Sequence, residues 1–243
     1  PRASCPPTRA GTGHTLVVSD KGDVWAWGWN SKGQCGAPPA DAEAVCTPTM
    51  IGPLLGKGVR GVACGAAHSI AVTGRGEVLA WGLGGSGQLG NGDVGSSAVP
   101  RPVGGLAAEV VQGVACGFGH SVVLTRAGGL FSWGWNRDGQ LGVGDQLDRP
   151  SPCRVSGLGV TFQHVACGGA HSAVVSTKGL LYTFGAGTCG QLGLGCTQPH
   201  ATRPQLVESL QAHGVVCALA ACGEEFTLVI SDTQARRGRW EGG

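Results

Sequence analysis

The sequence predicts an all-β fold, a β-propeller of four-stranded blades, from three markers that recur in register. The segment Gly65-Ala-Ala-His68-Ser returns as Gly117-Phe-Gly-His120-Ser and Gly168-Gly-Ala-His171-Ser, with Gly11-Thr-Gly-His14-Thr upstream and Gly223-Glu-Glu-Phe226-Thr downstream. The spacings are 54, 52, 51 and 55 residues. Thirteen residues after each histidine stands Trp27-Gly28, Trp81-Gly82, Trp133-Gly134 or Phe184-Gly185. The third marker is a turn, Gly33-Gln-Cys-Gly36, Gly87-Gln-Leu-Gly90, Gly139-Gln-Leu-Gly142 and Gly190-Gln-Leu-Gly193, extended to Gly92-Asp93 and Gly144-Asp145. Self-similarity at a fixed period of this length marks a repeat architecture.

Each unit reads as short strands between turn signals. In the third unit Val110 to Cys116, Ser121 to Thr125, Leu130 to Gly134 and Cys153 to Val155 are rich in β-formers. Glycine-rich stretches separate them. Four strands in about 50 residues describe a propeller blade, and no unit carries the paired amphipathic helices of a helical solenoid. The repeated glycines permit positive φ in turns and close approach of neighbouring blades. The tryptophan beside each Trp-Gly glycine is expected to pack between adjacent blades, where a large apolar ring contributes most.

Composition agrees. The 243 residues suit one sizeable domain, and 42% hydrophobic against 13% charged residues favours a packed core over disorder. A net charge of +2 is too weak a footprint for nucleic-acid binding. No run reaches the length of a membrane helix and no signal-peptide pattern is present, so an intracellular protein, cytoplasmic or nuclear, is expected. Of eleven cysteines, Cys64, Cys116, Cys167 and Cys222 share one repeat position, and equivalent places on different blades are expected to lie too far apart for a disulfide. The proline-rich opening, with Pro1 first and Met50 the sole methionine, reads as a piece of a longer chain with an irregular segment over 1–8.

The combined pattern, Val-Ala-Cys-Gly-x-x-His-Ser, then Gly-x-Leu-x-x-Trp-Gly, then Gly-Gln-Leu-Gly-x-Gly-Asp, resembles the regulator-of-chromosome-condensation (RCC1-like) repeat across residues 9–232. The resemblance implies blades of a seven-membered ring. This chain offers about four blades plus part of a fifth: units at 9–58, which lacks a convincing first strand, 59–110, 111–161 and 162–214, and a partial unit at 215–232 with two strands. Residues 233–243 have no strand pattern and read as a disordered tail. An incomplete arc is therefore expected, with exposed blade edges that invite association.

The recurring histidines do not predict a metal site, since zinc ligands must lie about 2 Å from one centre. They are expected to fix a turn within their own blade. The recurring cysteines read as small apolar residues on a buried strand, and Cys189 and Cys196 as ordinary thiols. Asp93 and Asp145 read as turn residues accepting backbone hydrogen bonds, without the ligand density of a calcium loop. Pieces such as Gly82-Leu-Gly84 lack the following helix of a phosphate-binding loop. No activated nucleophile or carboxylate pair stands out, so neither side-chain catalysis nor a cofactor is expected.

Specificity should then lie in the two variable positions before each repeat histidine: Thr12-Gly13, Ala66-Ala67, Phe118-Gly119, Gly169-Ala170 and Glu224-Glu225. By resemblance, exchange-factor members of the family carry acidic or histidine side chains there, and photoreceptor members Trp-Arg pairs. In this chain Phe118, Glu224 and Glu225 are the side chains able to anchor a partner. The reading that follows is a protein–protein interaction module. Its alternative is a guanine-nucleotide exchange factor for a Ran-like small GTPase. Ultraviolet sensing ranks last, because the tryptophans sit mainly in the Trp-Gly strands.

Overall fold

The computed structural model describes residues 8–37, 42–195 and 198–232. Of the segment expected to be irregular over 1–8 only Thr8 is described, and the tail expected at 233–243 and Cys196 fall outside these residues.

Each run of alternating β-formers folds as an antiparallel meander. The first sheet holds β1 (Thr8–Ala10), β2 (His14–Val18), β3 (Val24–Trp29) and β4 (Ala44–Met50), in that order. The second holds β5 (Val59–Cys64), β6 (His68–Thr73), β7 (Val78–Gly82) and β8 (Ser97–Pro102). The third holds β9 (Val111–Cys116), β10 (His120–Thr125), β11 (Leu130–Gly134) and β12 (Arg149–Val155). The fourth holds β13 (Phe162–Cys167), β14 (His171–Ser176), β15 (Leu181–Ala186) and β16 (His200–Leu206). A five-residue helix, α1 (Glu208–Ala212), leads to a two-stranded sheet of β17 (Cys217–Cys222) and β18 (Thr227–Ser231).

The first unit does possess a first strand. Residues 8–10 are too short to stand out by composition, and Arg9 lies opposite Leu16 because pairing with β2 organises them. The fourth strand of the third unit begins at Arg149, earlier than its β-formers suggest, because prolines at 150 and 152 dilute the pattern without breaking an edge strand.

The sheets do not close into a ring: among the described residues no strand pairing joins the last sheet to the first. Successive first strands, β1, β5, β9, β13 and β17, lie side by side and face a common channel.

The constant offset between histidine and Trp-Gly has a geometric cause. In every complete sheet the histidine lies opposite the glycine of Trp-Gly, as with His68 and Gly82 or His120 and Gly134. On the other side of the third strand the register shifts by two residues, so that Trp27, Trp81, Trp133 and Phe184 each face a stretch of three fourth-strand residues without a paired partner. The extra residues belong to the fourth strand, and the ladder is interrupted at the ring. Trp81, Trp133 and Phe184 pack against the preceding blade, as the placement between blades expected.

Packing runs blade to blade. Leu16 and Val18 of the first blade cluster with Ala71, Leu79 and Trp81 of the second. Ile70 and Val72 of the second meet Val111, Val123 and Trp133 of the third. Val122 and Leu124 meet Val174 and Phe184, and Ala173 and Val175 meet Ala220 and Val229. Alternate residues of each second strand thus face forward to the next blade, and the residues between them face back.

The inner ends of the blades approach even more closely. A β-carbon added at Gly117 would sit 2.5 Å from the Gly168 carbonyl oxygen of the next blade and would also collide with the His120 ring. Gly117→Ala should therefore cost about 2 kcal/mol or more through forced displacement. Gly61→Ala, where a β-carbon meets nothing within 4 Å, should change stability by less than about 1 kcal/mol, a contrast that urea unfolding of the two variants reads directly.

Candidate partner-binding face

The loops before the repeat histidines are stitched to one another by backbone hydrogen bonds. The Ala66 N–H donates to the Phe118 carbonyl at 3.4 Å, that of Phe118 to Gly169 at 3.0 Å, and that of Gly169 to Glu224 at 2.9 Å. Thr12 Oγ1 donates to the Ala66 carbonyl at 3.0 Å. The first residue of every variable pair therefore rims one mouth of the channel, around a recess of about 210 Å³. The second residue is tucked under the following loop: the Gly13, Ala67, Gly119 and Ala170 carbonyls accept from Trp29, Leu83, Trp135 and Ala186. Ala67 is buried, and a β-carbon at Gly119 would press on Trp135 at 3.2 Å. Small residues at that second position thus have a steric reason.

Phe118 and Glu224 come together on this rim. A β-carbon at Gly169, two blades' contact point, would find Glu224 Cγ at 3.3 Å and Phe118 Cε2 at 3.5 Å. Phe118 is half-buried and Glu224 exposed. Glu225 does not join them. It turns to the other side of the loop, where its Oε2 accepts from Cys189 Sγ at 3.5 Å beside a different recess.

The recurring cysteines stand at the same mouth. Cys64, Cys116, Cys167 and Cys222 end the first strands and line the recess half-buried, free of disulfides. As whole residues they are half-buried at this open recess and not enclosed as expected of a buried strand. Burial of the sulfur pushes the Cys64 and Cys222 thiols up to about 12, and raises Cys116 and Cys167 as well. These thiols therefore stay protonated and weakly nucleophilic at neutral pH. Among the described residues no three His, Cys, Asp or Glu side chains gather closely enough for a metal ion.

Deeper in the channel a cavity of about 440 Å³ is lined by Arg9, Arg60, Gln112, Gln163 and His164. Arg60 binds the Thr73 carbonyl at 3.1 Å and reaches the Val111 carbonyl of the next blade. Burial, and then the charge of Arg9, lower the pKa of His164.

The repeat histidines work differently from the expectation. Each bonds to the next blade rather than within its own. His14 Nε2 lies 2.8 Å from Ser69 Oγ, His68 Nε2 3.0 Å from Ser121 Oγ, His120 Nε2 3.0 Å from Ser172 Oγ, and His171 Nε2 2.9 Å from Thr227 Oγ1. The hydroxyls donate onward to the Gln34, Gln88, Gln140 and Gln191 carbonyls at 2.7 to 2.9 Å. Because each hydroxyl proton is committed to a carbonyl, the oxygen must accept, which fixes the Nε2–H tautomer of the imidazole. Trp81 and Trp133 Nε1 donate to the same Gln34 and Gln88 carbonyls at 2.9 and 2.8 Å. Each glutamine side chain holds its own turn, Oε1 accepting from the backbone of Lys32, Ser86, Asp138 or Cys189. The chain thus carries four copies of an inter-blade lock, histidine and glutamine on one blade and hydroxyl on the next; an indole joins it at Trp81 and Trp133, Phe184 stands in its place in the third copy, and the copy at Thr227 has no aromatic among the described residues. The signal was present in sequence, since a hydroxyl residue follows every repeat histidine at once, yet sequence spacing alone does not say which blade it meets.

Asp93 and Asp145 act as the turn residues expected, accepting from the Gly95 and Leu147 backbone at 2.7 and 3.0 Å.

The model of the RCC1-like domain matches residues 7–237. The chain belongs to the RCC1-like domain family. It is similar to the ultraviolet-B receptor UVR8 of Arabidopsis thaliana, 34% identical over 206 residues that cover 84% of this chain and 46% of the receptor. It is also similar to human Protein RCC2, 36% identical over 217 residues, 79% of this chain and 41% of that protein. Among solved structures, human WBSCR16 matches with TM-score 0.83 at 26% identity over 93% of this chain and 57% of that one. Yeast RCC1 (Prp20), solved bound to Kap60, matches with TM-score 0.81 at 25% identity over 98% and 57%. The chain spans about half the length of these RCC1-like relatives. Among the described residues no helix is long and apolar enough to cross a membrane.

Proposed function

We propose that this RCC1-like arc is a protein–protein interaction module, without side-chain catalysis, that docks a partner on the channel mouth carrying Phe118 and Glu224. One observation carries the reading. The stitched loops hold an aromatic ring and a carboxylate side by side on a rigid rim, over a recess, with alanine and glycine around them. An aromatic anchor beside a charge on a preorganised scaffold is the arrangement from which binding hot spots are built. A basic or aromatic-accepting surface on the partner fits it.

Affinity capture with the chain as bait tests this. The double variant Phe118→Ala and Glu224→Lys should lose the bound partner at least about tenfold with an unchanged unfolding midpoint, whereas Glu225→Lys, which points elsewhere, should retain it. An identical set and amount of captured protein with the double variant would overturn the reading.

A second reading, nucleotide exchange on a Ran-like small GTPase, is favoured by the likeness to Prp20p, whose structure was reported with its binding to Gsp1p and histones. Exchange needs no catalytic acid or base, only tighter binding of the nucleotide-free GTPase. Release of labelled GDP from a Ran-type GTPase, accelerated well above its spontaneous rate, would establish it.

A further inference from the structure

The recess of about 210 Å³ at the channel mouth is floored by alanine, glycine and cysteine, with Thr12, Phe118 and Glu224 on its rim. No floor residue has a side chain long enough to fill it. Burial keeps the thiols of the floor protonated, so among the described residues Glu224 brings the one charge in the lining. Arg9 and Arg60 line the deeper cavity instead.

Phe118 and Glu224 close on one point. Gly169 has no side chain to hold them apart, and a β-carbon there would meet Glu224 Cγ at 3.3 Å and Phe118 Cε2 at 3.5 Å. Both loops are bonded to Gly169 through the backbone: the Phe118 N–H donates to its carbonyl, and its own N–H donates to the Glu224 carbonyl. The ring and the carboxylate are therefore placed in advance of any contact. A further blade joined by the same stitching would stand beside the Glu224 loop and lengthen the rim, without covering the recess.

We propose that this recess takes an arginine side chain projecting from a partner protein. The inference rests on the docking reading above and names the group the partner presents. A guanidinium is planar and weakly hydrated, so it lies on the Phe118 ring while offering paired N–H groups to the Glu224 carboxylate. Its aliphatic stem covers the neutral floor. A lysine ammonium reaches the carboxylate as a strongly hydrated point charge and gains less from the ring. An apolar side chain would desolvate Glu224 with no counter-charge. The surrounding charge agrees. In the loops that lead away from the mouth, Asp145 is paired with Arg149, and Glu43, Asp93, Asp138 and Asp148 outnumber Lys32 and Arg137, a balance that draws cations toward this face.

The probe is a capped Gly-Arg-Gly peptide, titrated into the full 243-residue chain carrying isotope-labelled amides. Saturable shifts in the nuclear magnetic resonance spectrum are expected at the amides of Phe118, Gly169 and Glu224. The citrulline peptide, which keeps the shape and loses the charge, and the lysine peptide should each bind at least about fivefold more weakly. Glu224→Gln, a change at an exposed side chain that leaves the unfolding midpoint in place, should erase the preference for arginine over citrulline. Phe118→Leu should erase the preference for arginine over lysine. Absence of saturable shifts at these amides, or equal affinity for the arginine and citrulline peptides, overturns the proposal. Equal affinity for arginine and lysine overturns it too, reducing the recess to a general cation site. The docking reading is judged apart, by affinity capture: a partner lost with the double variant, together with no arginine selectivity, keeps the docking face and rejects this occupant.

Discussion

Trp133→Ala will lower stability by about 4 kcal/mol, the range for deleting a fully buried large aromatic. Trp133 is 0% exposed and packs against Ile70, Val72 and Leu89 of the preceding blade. Its removal leaves a cavity at a blade interface that collapses poorly, because Gln88 and Ser121 stay held by the lock on either side. The Gln88 carbonyl keeps the Ser121 hydroxyl at 2.9 Å, so most of the loss is packing. Trp133→Phe should accordingly cost about 1 to 2 kcal/mol, the loss of one N–H bond with some packing, and the chain tolerates that residue in the same place at Phe184. Trp27→Ala should cost less than half as much as Trp133→Ala, since Trp27 is only half-buried. Urea unfolding followed by circular dichroism and by tryptophan fluorescence gives all three values, and coincidence of the two signals tests whether the blades unfold together.

Stability will fall steeply in mild acid, and the repeat histidines are the reason. Burial holds His14 and His171 down to about 4, and holds His68 and His120 to about 3 with help from neighbouring histidines. In the unfolded chain all four take up protons near pH 6.5. Below that pH the unfolded state binds more protons than the folded one, so stability is fully present above about 6.5 and drains away as pH falls toward 4. Each histidine contributes up to about 1.4 kcal/mol per pH unit in that window, and four together up to about 5. The Nδ1 atoms of all four are buried without a hydrogen-bond partner among the described residues, so a second proton there gains no acceptor to offset its burial. His120→Gln, which retains an N–H donor and cannot ionise, should reduce the proton uptake on unfolding by about one between pH 6.5 and 4. Urea midpoints across that range measure it, and an unchanged slope would show that His120 already titrates normally when folded.

The blade pattern was legible because its signals are local. Strand, turn and Trp-Gly recur at offsets set by hairpin geometry, which acts within one sheet. The destination of a side chain is not local. His68 and Ser69 are neighbours in sequence, yet one bonds forward to the third blade and the other back to the first, and no periodicity within the chain separates those directions. The three residues of β1 were illegible for a related reason, being organised by their partner strand. Of the candidate site, the side chains able to anchor a partner were readable as departures from alanine and glycine. Their grouping was not: Glu224 and Glu225 are adjacent in sequence, and only the loop's stitching to Gly169 separates the one that joins Phe118 from the one that turns to Cys189.

The lock has a direction. Every blade offers its histidine and its glutamine carbonyl to the blade that follows in the chain, never to the one before. During synthesis the accepting surface is therefore complete before the segment that must settle on it has left the ribosome, so that each nascent blade meets a finished template and the arc can grow by accretion from its amino-terminal end. Phe226 halts that progression. It occupies the histidine position with a ring that has no proton to give, and with Leu228 and Ile230 it turns more than half-exposed to solvent, where its equivalents His68, Ile70 and Val72 are almost wholly enclosed. Among the described residues the last sheet therefore presents no histidine half of the lock, and order of arrival has no such template there.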